Sequence, residues 1–509
     1  VRSVKSFFLR LLFFSFIFCT APQASQAAAL DSLSADTTPA AAARRNIDRV
    51  EYDLPVYDAP FSGLGGGYAF PSTAQSLAIT KDLALGIHYA LARFIAGQGD
   101  RGETQILRSF GSLLTEIALI SLPGGYSWLH EEWHRAVLTN RRISSYNGIY
   151  DFRILSNVVP VSHVADADLV MLKREYPADM VRLSAAGNEA QIELVRSLRR
   201  ELFFNRQECS LEWITLFINS FSPASYLFLC SLPYADNLTD QLQRAEGKDI
   251  AKRDIVGMDF TAWVYDLYRP GEPYDSGRGV HPSGIGINRY IRRSQLTGKE
   301  KDYLQLQGIL AWLNLVNPQL VMKNRFSGKN PFTGAPMYWN AALVHHLTPF
   351  GFTIDGDIMA IAGRTGIAAT LHSYFNGRRW YPGAAVEADD IPLSIMRAKS
   401  AFPRLYLSAK AEGWFQPKDQ LFDERTPQAG GALSVGLKAG VTKHLLLTAG
   451  ASAKSGGWQA GAVSLERQFG AAAGLCAWLP NRTPSDPSDE KPMRSGLRKV
   501  EELDFSIGE

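Results

Sequence analysis

The sequence predicts an α+β protein, with a helical domain over residues 72–325 and an antiparallel β-domain of about eight strands over 331–480 that closes on itself as a barrel. Two patterns predict it. Apolar residues recur three and four apart through the first span, and they alternate with polar ones through much of the second. Composition agrees: a chain of 509 residues, 46% apolar and 20% charged, can bury a large core and favours two or more domains over one.

At the N-terminus, Arg2, Lys5 and Arg10 precede the apolar run 11–18, and small residues follow through Ala27-Ala28-Ala29. That order predicts a secretory signal peptide over 1–29, with an apolar part too short to remain as a spanning anchor, and therefore an exported chain. Residues 30–71 read as a low-complexity linker followed by one or two strands, with alternation in Val50-Glu51-Tyr52-Asp53-Leu54 and breaks at Pro55, Pro60 and Gly65-Gly66-Gly67. Of the remaining cysteines, Cys209 and Cys230 could form a bridge in an oxidising compartment, or all three, with Cys476, could be buried thiols. The formal charge of +3, from 53 basic and 50 acidic side chains with no basic stripe, gives no basis for nucleic-acid binding.

Helical spacing is strongest over 77–95, 103–122, 128–138, 189–204, 211–232 and 303–315. The runs 110–122 and 211–232 approach the apolar length of a membrane span, but Glu116 in one and Asn219, Ser222 and Pro223 in the other fit a buried hairpin at least as well. In the β-domain, Leu433, Val435 and Leu437 alternate with Ser434, Gly436 and Lys438, and residues 405–414 behave alike. Such strands want lipid or a core on one side and a polar lumen on the other. Further strands are expected at 338–347, 352–362, 366–374, 384–388, 445–452, 458–465 and 471–478, with Trp339, Trp380, Tyr381, Trp414, Trp458 and Trp478 near their ends as an interfacial girdle. The expectation is an outer-membrane barrel; a soluble antiparallel β-domain shows the same alternation. If the strand near Val50 pairs with the barrel, the helical domain is an insertion lying in its lumen or over its mouth. The polar tail 481–509 reads as disordered.

The strongest chemical signal is His130-Glu131-Glu132-Trp133-His134, after the Pro123-Gly124-Gly125 break. On a helix, imidazoles four residues apart lie on one face and can converge on one tetrahedral ion, with Glu131 between them placed to act on water. A catalytic site needs a third protein ligand. Downstream, Asn188-Glu189 follows the small-residue break Ala185-Ala186-Gly187, and Glu193 lies one turn on. This combination resembles the gluzincin branch of zinc metallopeptidases, of which thermolysin is a member. The resemblance implies Zn2+ held by His130, His134 and Glu189, catalysis by Glu131, and Glu193 orienting a zinc-bound histidine, although an Asp is usual at that last position. It covers only these two short motifs.

Competing third ligands are His163, Asp166, Asp168 and Asp179. The extended metzincin form is absent, because Val137 and Asn140 stand where its Gly and third His would be. The loop 274–286 contains Tyr274, Arg278 and His281, and His281 is the candidate oxyanion stabiliser, against an ordinary glycine-rich loop. His345 and His346, adjacent on a strand, point to opposite faces and cannot share an ion. The expected function is hydrolysis of a peptide or protein substrate at the outer membrane or in the periplasm. The alternative is a non-enzymatic outer-membrane barrel with a helical plug or scaffold domain.

Overall fold

The computed structural model describes residues 49–61, 71–96, 102–151, 160–206, 212–331, 333–362, 365–393, 405–442 and 444–480. The expected signal peptide over 1–29 and the expected disordered tail over 481–509 lie outside them. After strand β1 (Arg49–Ala59) the chain is helical: α1 (Thr73–Ala96), α2 (Gly102–Ser121), α3 (Tyr126–Asn140), α4 (Asp166–Glu175), α5 (Pro177–Asn205), α6 (Glu212–Cys230), α7 (Tyr234–Ala245), α8 (Asp259–Tyr268), the short α9 (Tyr274–Arg278) and α10 (Gly298–Leu310). A two-residue pair, β2 (Tyr146–Asn147) and β3 (Val161–Ser162), sits beside α3. The Pro-Gly-Gly break turns the chain so tightly that a Cβ on Gly125 would lie 1.8 Å from the Leu119 carbonyl oxygen, which folds α3 back on α2. Helix α6 is long and apolar enough to cross a membrane by length and composition, and half of it is buried in the fold. Cys230, at its end, is a free buried thiol rather than half of a bridge; Cys209 lies outside the described residues.

The remaining strands are β4 (Phe326–Lys329), β5 (Pro336–Thr348), β6 (Gly351–Ala362), β7 (Thr365–Phe375), β8 (Trp380–Pro392), β9 (Leu405–Pro417), β10 (Pro427–Gly440), β11 (Leu445–Lys454) and β12 (Gln468–Pro480). With β1 they form one antiparallel sheet of ten strands, in the order β1-β12-β11-β10-β9-β8-β7-β6-β5-β4. The first strand pairs with the last, from Arg49 opposite Pro480 to Ala59 opposite Ala471, with a bulge between Pro55 and Tyr57. The helical region is thus inserted in sequence between β1 and β4, the two edge strands of the sheet. The expected strand over 458–465 does not form. That stretch is an irregular loop turned inward, with Trp458 and Leu465 packed against Phe350, Tyr374 and Trp414.

The sheet curls, but it does not close into a barrel. Arg49 on β1 bonds Asp390 on β8, five strand steps away, a separation of about 24 Å in a flat sheet at ~4.8 Å per strand. Lys438 on β10 bridges the same two strands through Glu51 and Asp390. The seam between β1 and β4 is filled by helix instead of a β-ladder. Helix α1 packs on β1, and α6 packs on a 3-10 turn (Ala311–Leu315) that in turn packs on β5. Helical side chains also satisfy the free edges. Gln75 donates to the Pro55 and Val56 carbonyls, Glu201 accepts from the Glu51 amide, and Asn314 bonds both the amide and the carbonyl of His345. These contacts occupy edge groups that a closing ladder would otherwise use.

Alternation sorts the two faces. Leu371, Val386, Leu433, Val435, Leu437, Leu447 and Leu475 are exposed on the outside. Asp355, Asp357, Glu387, Asp389, Lys410 and Lys438 turn inward, where the C-terminal half of α5 meets them. Arg196 binds Asp355 at 2.7 Å, Asp357 at 2.8 Å and Glu193 at 3.0 Å, while Arg200 binds Glu387 at 2.6 Å and Asp389 at 2.7 Å. Of the expected aromatic girdle, Trp339 and Trp380 are exposed, whereas Tyr381, Trp414 and Trp478 are buried because their strand positions face inward, and Trp458 is buried in the inward loop.

Removing Arg196 strands several buried carboxylates at once, and breaking a buried ion pair from one side costs about 3–5 kcal/mol. Arg196→Ala is expected to lower the unfolding temperature sharply in a thermal melt, whereas Arg174→Ala, which breaks the exposed Arg174–Glu175 pair, changes it little.

Candidate metal centre

Helix α3 crosses α5 at close range, and this crossing builds the site. His130 and His134 stand one turn apart with ring centroids 4.9 Å apart. His134 is buried, and its Nδ1 donates to the Leu183 carbonyl of α5 at 2.5 Å, which directs the Nε2 lone pair into the site. Burial lowers its pKa to about 4, against the pull of Asp259 in the other direction, so the ring is a neutral imidazole fit to donate to a metal. His130 rests on Gly187 of α5: a Cβ there would fall 2.2 Å from its Nε2. The small residues 185–187 are therefore a contact surface inside one continuous helix, not the break expected from their composition.

The third group is Asp259, in the first turn of α8. Its Oδ2 lies 3.2 Å from His130 Nε2 and 3.8 Å from His134 Nε2, and its amide donates to the Tyr226 hydroxyl at 3.2 Å. Ligand atoms of all three residues lie within 4.8 Å of one another, a group that could hold a metal ion. Donors about 2.0–2.1 Å from a tetrahedral ion stand roughly 3.3 Å apart, so these separations need little adjustment. Glu131 is partly exposed next to this group. Its carboxyl is pushed well above the usual range by burial and then by the charges of Asp254, Asp259 and Glu132. Asp254, buried nearby, is raised to about 8 by burial and by Asp259 and Glu246. A dication among these carboxylates would relieve their mutual repulsion.

The other expected residues sit elsewhere. Glu189 does not turn toward the histidines. It is buried against Arg182, 2.9 Å from its Nη2, and accepts from the Gly461 amide at 2.9 Å. Glu193 lies further along α5 against Arg196 and His346, at 3.0 and 3.3 Å, and orients neither His130 nor His134. His281 faces Glu246 at 3.4 Å and Ser283 at 3.0 Å. Among the competing ligands, Asp166 holds Arg289, Asp179 holds Arg141, and His163 packs edge-on against Tyr146. His345 and His346 take opposite sides of β5, bonding Gln307 and facing Glu193 respectively. Glu132 pairs with Arg135 at 2.7 Å but is buried, held also by Asn147 and Tyr150.

The residue that sequence reasoning missed is Asp259. It lies 125 positions after His134, near the loop residues Asp254 and Gly257, and nothing in its local sequence separates it from the other 49 acidic residues.

Because Gly187 and His130 touch, a methyl group on Gly187 must displace the imidazole. Gly187→Ala is expected to weaken metal binding by about 10-fold or more, as loss of an orienting contact does, while circular dichroism stays unchanged because Ala favours helix. Unaltered affinity, measured by competition with a chelating dye, refutes the contact's role.

No protein-family model, no curated protein and no solved structure matches this chain.

Proposed function

We propose that this chain is a zinc-dependent peptidase of the bacterial cell envelope, with His130, His134 and Asp259 as the zinc ligands. The observation that carries the reading is the convergence of two imidazoles and a carboxylate on one point, with Glu131 beside them. Three such ligands with a fourth position left open are the usual arrangement of a catalytic zinc site. Zinc supplies Lewis acidity there, acidifying water and polarising a carbonyl. Glu131, on the residue after the first histidine, takes the proton of the attacking water and returns it to the leaving amine. Its position resembles the gluzincin arrangement, while the third ligand is an Asp from α8 and not the Glu of that pattern.

The outward apolar face of the sheet supports an outer-membrane location, with the sheet as a wall and the helices as its filling. The filling of that curl by α5 also favours a second reading, a non-enzymatic membrane protein whose helical region is a plug or scaffold.

Elemental analysis separates the two. The purified protein is expected to carry about one zinc per chain, retained in Glu131→Gln and in Glu189→Gln and lost in His130→Ala and Asp259→Ala. Glu131→Gln should cut peptide hydrolysis by about 10²–10⁴, the usual contribution of a general base. A wild-type protein without metal removes the enzyme reading, and metal retained by Asp259→Ala removes that residue as ligand. For location, the chain is expected to float with lipid vesicles on a density gradient and to resist alkaline extraction; recovery in the soluble fraction overturns the membrane assignment.

A further inference from the structure

The inside of the curled sheet is not uniform. The half formed by β5 to β8 presents large charged side chains, which α5 neutralises. The half formed by β9 to β12 presents Ser408, Ser434, Gly436, Gly450, Ser452 and Gly470, and α5 does not fill it. Two cavities of about 260 and 230 Å³ occupy this half. They share Lys410, Ser434 and Ser452 as walls and so adjoin. Each is many times the roughly 15 Å³ that a single water needs. One end of this lumen holds the ion cluster of Arg49, Asp390, Lys438 and Glu51. The inward loop carrying Gln459 and Gly461 walls the other.

The chemistry of the walls is selective. The charged groups already have partners: Glu387 is held by Arg200, Lys410 by Glu412 at 2.9 Å, the Lys454 ammonium by the carbonyls of Ser455, Gly457 and Glu466, and the Asp58 carboxylate accepts from the Ser72 hydroxyl at 2.5 Å. Ser434 and Ser452 line both cavities, and the Gln468 side-chain oxygen is buried without a hydrogen-bond partner among the described residues. No aromatic side chain lines either cavity. A packed interior would place larger side chains at these inward positions. The remaining small residues leave an elongated space beside β10 and β11 with neutral donors and acceptors on its walls.

We propose that this chamber is a binding site, separate from the metal centre, for a short extended peptide with small uncharged side chains. Its main-chain amides meet the hydroxyls of Ser434 and Ser452 and the amide of Gln468, and its side chains fit over Gly436, Gly450 and Gly470. The choice of peptide as ligand rests on the peptidase reading; the chamber itself does not. The chamber also adjoins α5, the helix against which the two histidines rest, because Gly461 in its wall donates to Glu189, two residues beyond the Gly187 that supports His130.

The test is calorimetric titration of the detergent-solubilised full chain with N-acetyl-trialanine amide. Saturable binding of about one equivalent is expected. Ser434→Trp, which fills the chamber, should weaken it at least tenfold, and His130→Ala should leave it unchanged. If Ser434→Trp fails to fold, Ser452→Leu serves the same purpose with a smaller side chain. Absence of saturable binding means the chamber holds only water and overturns the proposal. Binding lost in His130→Ala but kept in the filled variants assigns the peptide to the metal centre and overturns it equally. Elemental zinc is measured on the same samples, so loss of the peptidase reading registers independently of the chamber.

Discussion

The structure depends on one constraint: the curled sheet turns carboxylates inward, and something cationic must meet them there. Asp355 and Asp357 lie on β6 and Glu387 and Asp389 on β8, either side of β7, and without partners each would carry a large desolvation penalty. Helix α5 answers with Arg196, Arg199 and Arg200 within five residues; Arg196 and Arg200 each engage two sheet carboxylates through their planar forks, and Arg199 engages Asp357. This fixes the rotation of α5 about its axis and its depth in the curl. A turn of one residue would carry all three guanidinium groups off their partners.

The metal centre inherits that placement. Helix α5 is 29 residues long, about 44 Å at 1.5 Å per residue, and it does two jobs along its length. Its first half offers the Leu183 carbonyl and the bare backbone at Gly187, which set the two imidazoles of α3. Its second half carries the arginines that dock in the sheet. The ring geometry at His130 and His134 is therefore referenced, through a rigid rod, to the wall of the sheet. Asp259 arrives from a different part of the chain and completes the group because α8 packs along α5 as well.

Much of this architecture is legible in the sequence, and the exceptions have physical causes. The period-two alternation marks most strands because one face meets polar partners and the other is left apolar. It fails over 458–465, where alternating residues belong to a loop buried by Trp458 rather than to a ladder. Pairing of β1 with β12 follows from the extended segment near Val50, but closure does not occur: helices fill the seam, and Gln75, Glu201 and Asn314 bond backbone groups along its edges. Those are single polar residues on helices, with no pattern to announce them. The His130–His134 spacing is legible since one helix holds both. The third group is not, because Asp259 meets them only through tertiary packing, and the more suggestive Asn188-Glu189 pair is claimed by Arg182.

The pairing of β1 with β12 also orders events in time. Every residue of the helical region leaves the ribosome after β1 and before β12, so the partner of the first strand is the last one made. Until β12 arrives, the inner face of β1 and the arginine-rich half of α5 have only part of their enclosure. Contacts of such long sequence separation form slowly, because the loop between them must be closed before they contribute. The chain therefore passes through a stage in which the groups of the metal centre are all present while the wall around them is incomplete.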